Sequence, residues 1–257
     1  MVPILKVENM NISFRTRHGD KIIVANGKFE VNAGEFVLII GENGSGKSSI
    51  FRSLVREESS NNNDKRDLYF KGELIDSQER LDQFRKSIAY ARQEDDPDRF
   101  FSRRVWSYVK DYAMMSSHFS TQKEVETEAQ KVYDELHCER YADGEFKDLK
   151  LKNCSGGEKR MATILSALAR TKSDLFILDE PINNLDAYHA RLLNNYLIKL
   201  RSRPDSPGIL VITHCHMFQN VDRVYKLANG KLEEINDYSP KSCYGKCDSC
   251  GMYTEEV

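Results

Sequence analysis

Residues 36–49 read FVLIIGENGSGKSS, where five apolar residues run directly into a glycine-rich segment that ends in Gly46, Lys47 and Ser48. The segment fits the pattern GxxxxGK[ST], and the residues after it, 48–58, read as a helix. A strand, a loop of this pattern and a helix together predict a Walker A phosphate-binding loop. The flanking elements argue against a glycine-rich turn in which the lysine has no role.

The residue types of this loop suit a nucleoside triphosphate. Glycines let backbone N–H groups curl around phosphates, and a helix N-terminus favours their negative charge. Lys47 is expected to reach the β- and γ-phosphates, and the Ser48 hydroxyl is expected to bind Mg²⁺. The nucleotide contacts predicted here are Asn43, Gly44, Ser45, Gly46, Lys47, Ser48 and Ser49.

An acidic pair ends a second apolar run, LFILDEP at 175–181. Asp179 is placed to hold Mg²⁺, and Glu180 to orient or deprotonate an attacking water. Alone, such a pair is more often a solvated strand end. Together with a Walker A loop, it predicts a nucleotide-hydrolysing site.

A second glycine pair lies in CSGGEKR, residues 154–160, at the start of a predicted helix. Ser155, Gly156 and Gly157 there form another helix N-terminus that suits an anion. One chain has little need of two phosphate sites for one nucleotide. This segment is therefore expected to serve a nucleotide bound to a second molecule.

Taken in order, these motifs resemble those of an ATP-binding cassette (ABC) ATPase over roughly residues 4–235. The matching segments are GENGSGKSS, CSGGE, LFILDEP, NNLD and ITH, which correspond to the Walker A, signature, Walker B, D-loop and switch-histidine motifs. The resemblance implies an α/β P-loop NTPase fold of the ABC type, with a parallel sheet core, an antiparallel β subdomain and a helical subdomain. It also implies a competent ATPase with ATP and Mg²⁺ as its ligands.

Further residue roles come from the resemblance alone. It makes Glu180 the general base, His214 a γ-phosphate contact, Gln93 a contact to Mg²⁺ and water, Phe14 the ring that stacks on adenine, and Asp186 the residue that couples two sites. It also implies a dimer, homomeric or paralogous, in which Ser155, Gly156, Gly157 and Glu158 close over the partner's ATP. The chain departs from the usual family pattern at Cys154, Glu158 and Cys215, and none of these departures removes a catalytic group.

The rest of the chain divides into a cassette and a tail. The expected ABC ATPase domain covers 1–235, with a helical subdomain at about 95–165 and a cysteine-containing tail at 236–257. Several short strands are predicted over 4–40, a polar surface loop over 59–67, and strands over 87–93, 174–180 and 208–214, with a helix over 187–201. Thr121 and Glu124 predict a capping box before a helix. Its buried face is expected to carry Val125, Ala129, Val132, Tyr133 and Leu136.

Charge and hydropathy exclude several classes of function. The chain has 257 residues and a net charge of −2, so no global basic field favours nucleic acid. Its longest apolar runs fall far short of the about 20 residues that cross a bilayer. With no apolar stretch after Met1, the expected location is the cytoplasm, at the membrane face if a permease is the partner, with cysteines as reduced thiols.

The partner that hydrolysis would drive stays open between two classes. A separate membrane permease is the leading interpretation, by family analogy. The aromatic residues Phe100, Phe101, Trp106 and Tyr108 suit either a protein interface or the core of the helical subdomain. The alternative is a soluble, non-transport ABC ATPase, similar to the one in iron–sulfur cluster assembly or in another cytosolic remodelling role.

Cys243, Cys247 and Cys250 form a C-x3-C-x2-C cluster in the tail. Three close thiols suit Zn²⁺ or an iron–sulfur cluster, but no fourth ligand is evident nearby. The alternative is a tail with free thiols.

Overall fold

The computed structural model describes residues 2–17, 19–55, 62–93, 102–115, 119 and 121–240. Its strands are β1 (Leu5–Thr16), β2 (Gly19–Val31), β3 (Phe36–Ile40), β4 (Asn62–Phe70), β5 (Glu73–Leu74), β6 (Ile88–Ala91), β7 (Leu175–Asp179), β8 (Gly208–Thr213), β9 (Arg223–Ala228) and β10 (Lys231–Ile235). Its helices are α1 (Lys47–Leu54), α2 (Gln78–Ser87), α3 (Val105–Met114), α4 (Gln122–Glu135), α5 (Gly156–Leu168) and α6 (Ala187–Arg201).

The central sheet has six strands in the order β10-β9-β3-β8-β7-β6. The five strands from β9 to β6 are parallel, and β10 pairs antiparallel with β9 at the edge. Every residue of β3, β7 and β8 is buried, because the sheet is covered on both faces. The parallel sheet core expected from the apolar runs is therefore confirmed.

Side chains alternate between the two faces of this sheet. Leu38 and Ile40 of β3 belong to a core that also contains buried residues of α3, α4, α5 and α6. Val37 and Ile39 belong to a second core, formed with α1, α2 and the antiparallel sheet. Because successive side chains of a strand point to opposite faces, one face of the sheet packs against helices and the other against helices and the antiparallel sheet.

The antiparallel sheet, ordered β2-β1-β4-β5, corrects two details of the sequence interpretation. Several short strands were predicted over 4–40, but β1 and β2 are two long strands that pair antiparallel. Register shifts within β1, with positive φ at Asn9 and Asn26, interrupt its apolar alternation and make it look like shorter pieces.

The segment predicted as a surface loop at 59–67 is partly strand, since β4 begins at Asn62. Its polar residues find partners on α1 and within the strand. Asp64 accepts a hydrogen bond from the Ser53 hydroxyl at 3.0 Å and lies 3.1 Å from Arg66. Because its polar side chains have hydrogen-bond and ion-pair partners, this segment can form a strand, although its composition alone predicts a loop.

The helical subdomain carries α3 and α4, and α5 leads from it into the core. Thr121 begins α4 by accepting a hydrogen bond from the Glu124 backbone N–H, and the predicted apolar face of the helix is buried. Tyr108 is buried, and the Trp106 indole donates to Glu126 at 3.2 Å. These two aromatics therefore belong to the subdomain's own packing, while Phe100 and Phe101 lie outside the described residues.

Within the ranges that the structure describes, no helix combines the length and apolar character required to cross a membrane.

Candidate nucleotide site

The site lies at the carboxyl ends of three adjacent parallel strands, β3, β8 and β7. Lys47 follows β3, Glu180 follows β7 and His214 follows β8. Ligands of open parallel sheets bind at this edge. Strand pairing therefore brings together motifs that are up to 167 positions apart in sequence, from Lys47 to His214 (214 − 47 = 167).

Two glycines of the Walker A loop have backbone angles that favour glycine. Gly44 has φ of 78° and Gly46 has φ of 104°, both in the left-handed region. At Gly46 there is also no room for a side chain, since a Cβ there would lie 2.0 Å from Cγ2 of Ile23. The loop thus packs against β2, and α1 starts at the next residue.

Lys47 points back into its own loop. Its Nζ donates to the carbonyls of Gly41 at 2.9 Å and Glu42 at 3.0 Å, and lies 3.4 Å from Oε1 of Glu180. The residue is 5% exposed. A buried ammonium of this kind is held where phosphate oxygens can replace its present acceptors.

Glu180 is the most densely hydrogen-bonded carboxylate of the site. Its Oε2 accepts from the Thr213 hydroxyl at 2.9 Å and from the His214 backbone at 3.2 Å, and lies 2.8 Å from His214 Nδ1. Burial raises the pKa of Glu180, but the hydrogen bond and charge of His214 and the charge of Lys47 outweigh it, so the pKa lies below its ordinary value. Glu180 is therefore held ionised.

Asp179 is buried directly beside it and behaves differently. Burial first, and then the charge of Glu180, raise the pKa of Asp179 to about 6. Its Oδ1 has no hydrogen-bond partner within the described part of the chain. A buried carboxylate oxygen without a donor is unfavourable, and a cation would satisfy it.

The neighbouring oxygen donors fit Mg²⁺. The Ser48 hydroxyl donates to Oε1 of Gln93 at 3.1 Å, so the Walker A serine and Gln93 already meet. Hydroxyl, amide and carboxylate oxygens are the ligands that this hard cation takes. Ser48, Gln93 and Asp179 are accordingly the residues of this chain that suit the metal.

A cavity of about 620 Å³ opens in front of these groups. Ten predicted site residues line it, namely Phe14, Asn43, Gly44, Gly46, Lys47, Ser48, Ser49, Gln93, Glu180 and His214. Lys21, Ile23 and Asn183 line it too and were missed by the sequence interpretation. Lys21 pairs with Phe14 across the β1–β2 hairpin, a placement that only the strand register could have predicted.

The signature residues lie elsewhere, since none of Ser155, Gly156, Gly157 and Glu158 lines this cavity. Ser155 caps α5 by accepting from the Glu158 backbone, and the Glu158 carboxylate accepts from the Ser155 backbone at 2.6 Å. A Cβ on Gly157 would lie 2.8 Å from the Asn184 carbonyl, which places the signature against the D-loop. Asp186 caps α6 by accepting from the His189 backbone at 2.9 Å.

Cys243, Cys247 and Cys250 lie outside the described residues. Among the described residues, no group of three or more His, Cys, Asp or Glu side chains is placed to hold a metal ion. Cys138, Cys154 and Cys215 are buried and form no disulfide among the described residues, and burial raises the pKa of Cys154 to about 11.

Comparison with known proteins agrees with this geometry. The family model described as ABC transporter matches residues 24–183. The phosphonates import ATP-binding protein PhnC of Bdellovibrio bacteriovorus is 27% identical, with 95% of this chain and 94% of the relative covered. The manganese transport system ATP-binding protein MntB of Halalkalibacterium halodurans is 26% identical, with 93% and 87% covered. ABC transporter A family member 4 of Dictyostelium discoideum is 25% identical, and the match covers 90% of this chain but 13% of that much longer protein.

Solved structures share the fold. A dimeric ABC transporter cassette, MJ0796, superposes with a TM-score of 0.71 at 19% identity, with 89% of this chain and 96% of that chain covered. An ATP-binding subunit of an ABC transporter gives 0.73 at 20% identity, with 91% and 90% covered. The α/β cassette architecture expected from the sequence is confirmed.

Proposed function

Because the chain belongs to the ABC transporter family, we propose that it is an ATP-binding and ATP-hydrolysing subunit that powers transport through a separate membrane permease. One observation carries the proposal. Lys47, Glu180 and His214 follow three different strands and line one cavity of about 620 Å³, and Asp179 is buried directly before Glu180 in the chain. This constellation has the parts that phosphoryl transfer to water requires.

ATP binding would use the loop and the hairpin. The backbone N–H groups of 43–49 would surround the phosphates, and Phe14, which lines the same cavity, would stack on the base. Lys47 exchanges its contacts with Gly41, Glu42 and Glu180 for phosphate oxygens. Ser48, Gln93 and Asp179 would hold Mg²⁺, which would neutralise negative charge on the phosphates.

Hydrolysis would then depend on Glu180. In the arrangement described above, its carboxylate is surrounded by donors, which makes it a weak base. Departure of Lys47 to the phosphates removes one positive neighbour, and a switch of His214 from Glu180 to the γ-phosphate removes another. Both changes raise the basicity of Glu180 toward an attacking water.

A second cassette would complete each site. The signature segment presents a capped helix N-terminus whose residues do not line this chain's own cavity. Two copies placed head to tail would bring each signature to the partner's ATP, which is why hydrolysis needs a dimer. The second cassette would be an identical chain or a paralogue.

The proposed permease rests on the relatives. PhnC and FbpC are named as import ATP-binding proteins, and Nod factor export ATP-binding protein I as an export one. These names include both import and export and different transported molecules, so neither a direction of transport nor a cargo is proposed for this chain. The proposed location is the cytoplasmic face of a membrane, through contact with the permease.

The first test asks whether the chain binds and hydrolyses ATP, whatever its partner. Purified chain should bind Mg·ATP and release phosphate, and Lys47→Ala should abolish both, because phosphate loses its buried cation. Equal binding by the two proteins would contradict the assigned nucleotide site.

The second test identifies the partner. Glu180→Gln, which should trap ATP, is expressed in the native host beside Lys47→Ala, which should not bind it. A polytopic membrane protein that co-purifies with the first variant and not with the second supports the permease. Exclusive recovery with soluble partners would instead support the non-transport alternative.

A further inference from the structure

Arg160 is a buried cation for which the motifs assign no role. It lies in the second turn of α5, five residues after Ser155, and is 6% exposed. Its Nε donates to the Pro181 carbonyl at 3.2 Å and its Nη2 to the Asp179 carbonyl at 2.6 Å. Its Nη1 donates to the carbonyl of Arg92.

The three carbonyls belong to the segments that carry the chemistry. Those of Asp179 and Pro181 flank Glu180 on both sides, and that of Arg92 immediately precedes Gln93. A guanidinium is a planar fork with fixed donor directions, so one group that bonds all three segments fixes their relative positions. Glu180 needs such support, because its φ of 47° is unfavourable for a residue with a side chain.

The other end of the connection is the signature segment itself. The reciprocal capping contacts between Ser155 and Glu158 make the first turn of α5 rigid. Arg160 projects from the next turn of the same helix. A movement of the helix N-terminus therefore also moves the guanidinium that holds the segments around Glu180 and Gln93.

We infer that Arg160 is a positioning residue through which the signature segment, when it closes over the partner's nucleotide, aligns this chain's own Glu180 and Gln93. The inference rests on the proposed function. It adds a route within one chain between the two nucleotide sites of a dimer.

The test compares Arg160 with a second arginine that is buried to a similar extent. Arg170, directly after α5, is 2% exposed and donates to the carbonyls of Arg85 and Lys86, which are not part of the nucleotide site. Arg160→Met and Arg170→Met each remove a buried guanidinium from backbone acceptors. Unfolding midpoints, kcat, KM for ATP and the Hill coefficient for ATP are measured for both, together with Arg160→Lys.

Arg160→Met is expected to lower kcat by about 10- to 100-fold, the range seen when a group that orients active-site residues is removed. KM should stay unchanged, and the Hill coefficient should fall to 1. Arg170→Met should lose comparable stability but keep the kcat and Hill coefficient of the wild type. Arg160→Lys should recover part of kcat, because one ammonium can still reach one or two of the carbonyls.

Equal kcat in the two methionine variants, or parallel losses of kcat and ATP affinity in Arg160→Met, would overturn the inference. If Arg160→Met does not fold, the comparison of Arg160→Lys with Arg170→Lys decides in the same way. A wild-type protein that neither binds nor hydrolyses ATP would instead refute the proposed function, so the two failures are distinguishable.

Discussion

At the scale of single residues, Glu180 combines backbone strain with dense hydrogen bonding. Its left-handed φ turns the carboxylate toward Thr213 and His214 on the neighbouring strand end. Strained residues of this kind persist only where the surroundings over-determine them. The contacts from β8, together with those of Arg160 to the flanking carbonyls, supply that constraint.

Replacement of this carboxylate tests the base directly. Glu180→Gln keeps the size and the hydrogen bond from Thr213, but an amide cannot take up a proton. Hydrolysis is expected to slow by about 10²-fold or more, with unchanged affinity for ATP. Phosphate release and ATP titration measure the two quantities, and Glu79→Gln on the exposed side of α2 serves as the control. Near-normal turnover in Glu180→Gln would remove Glu180 from the role of base.

The two loop glycines allow a matched stability comparison. Gly44→Ala and Gly46→Ala both place a side chain at positive φ, which costs about 1–2 kcal/mol. Only Gly46→Ala also forces a Cβ to within 2.0 Å of Ile23, whereas at Gly44 nothing lies within 4 Å. Gly46→Ala is therefore expected to be less stable than Gly44→Ala by about 1–3 kcal/mol, the usual cost of overpacking.

Urea unfolding without nucleotide measures this difference. Gly46→Ala should cost less when it is introduced into Ile23→Ala than into the wild type, because the clashing methyl group is gone. Equal stability of the two alanine variants would contradict the close approach of the loop to β2.

At the scale of elements, the sequence predicts best where one physical signal dominates. Strands β3, β7 and β8 are fully buried and mostly apolar, so their positions agree with the prediction to within one residue, and α6 agrees at both ends. Strand β4 was missed because its polar side chains are satisfied by neighbours that are distant in sequence. Lys21 was missed for the same reason, since its place at the cavity depends on pairing across a hairpin with register shifts. The Walker A, Walker B and switch-histidine motifs could be predicted from local sequence pattern, together with the rule that the carboxyl ends of parallel strands lie at one edge of the sheet.

The start of α6 offers an element-scale prediction. Asp186 caps this helix through the His189 backbone N–H. Asp186→Ala is expected to cost about 1 kcal/mol, because that donor loses its acceptor, whereas Asp186→Asn keeps an oxygen there and should cost little. In a chain of this length, a loss of that size lowers Tm by about 2–4 °C. Equal melting temperatures of the two variants would show that the cap contributes no stability.

At the scale of the whole molecule, the distance of the signature from its own cavity predicts complementation between chains. Lys47→Ala lacks a working Walker A loop but keeps its signature, and Ser155→Arg has the opposite defect. Each variant alone should be inactive. Their mixture should regain part of the wild-type activity, because one of the two sites in a mixed dimer then has both intact halves.

The control for this experiment is a chain that carries both substitutions. Mixed with either single variant, it can form no intact site and should restore nothing. Absence of rescue in the mixture of single variants, when association is verified by sedimentation, would favour sites completed within one chain.

Strand order also has a consequence for biosynthesis. Strand β8 lies between β3 and β7, yet it is the last of the three to leave the ribosome, after about 208 residues have been made. Until then, two hydrophobic strands lack the neighbour that separates them, and Thr213 and His214, which donate to Glu180, have not been synthesised. Non-local pairing of this kind forms slowly and leaves apolar surface exposed meanwhile. The nascent cassette is thus expected to need chaperone protection until β8 has emerged, and ATP can help it fold only from that point on.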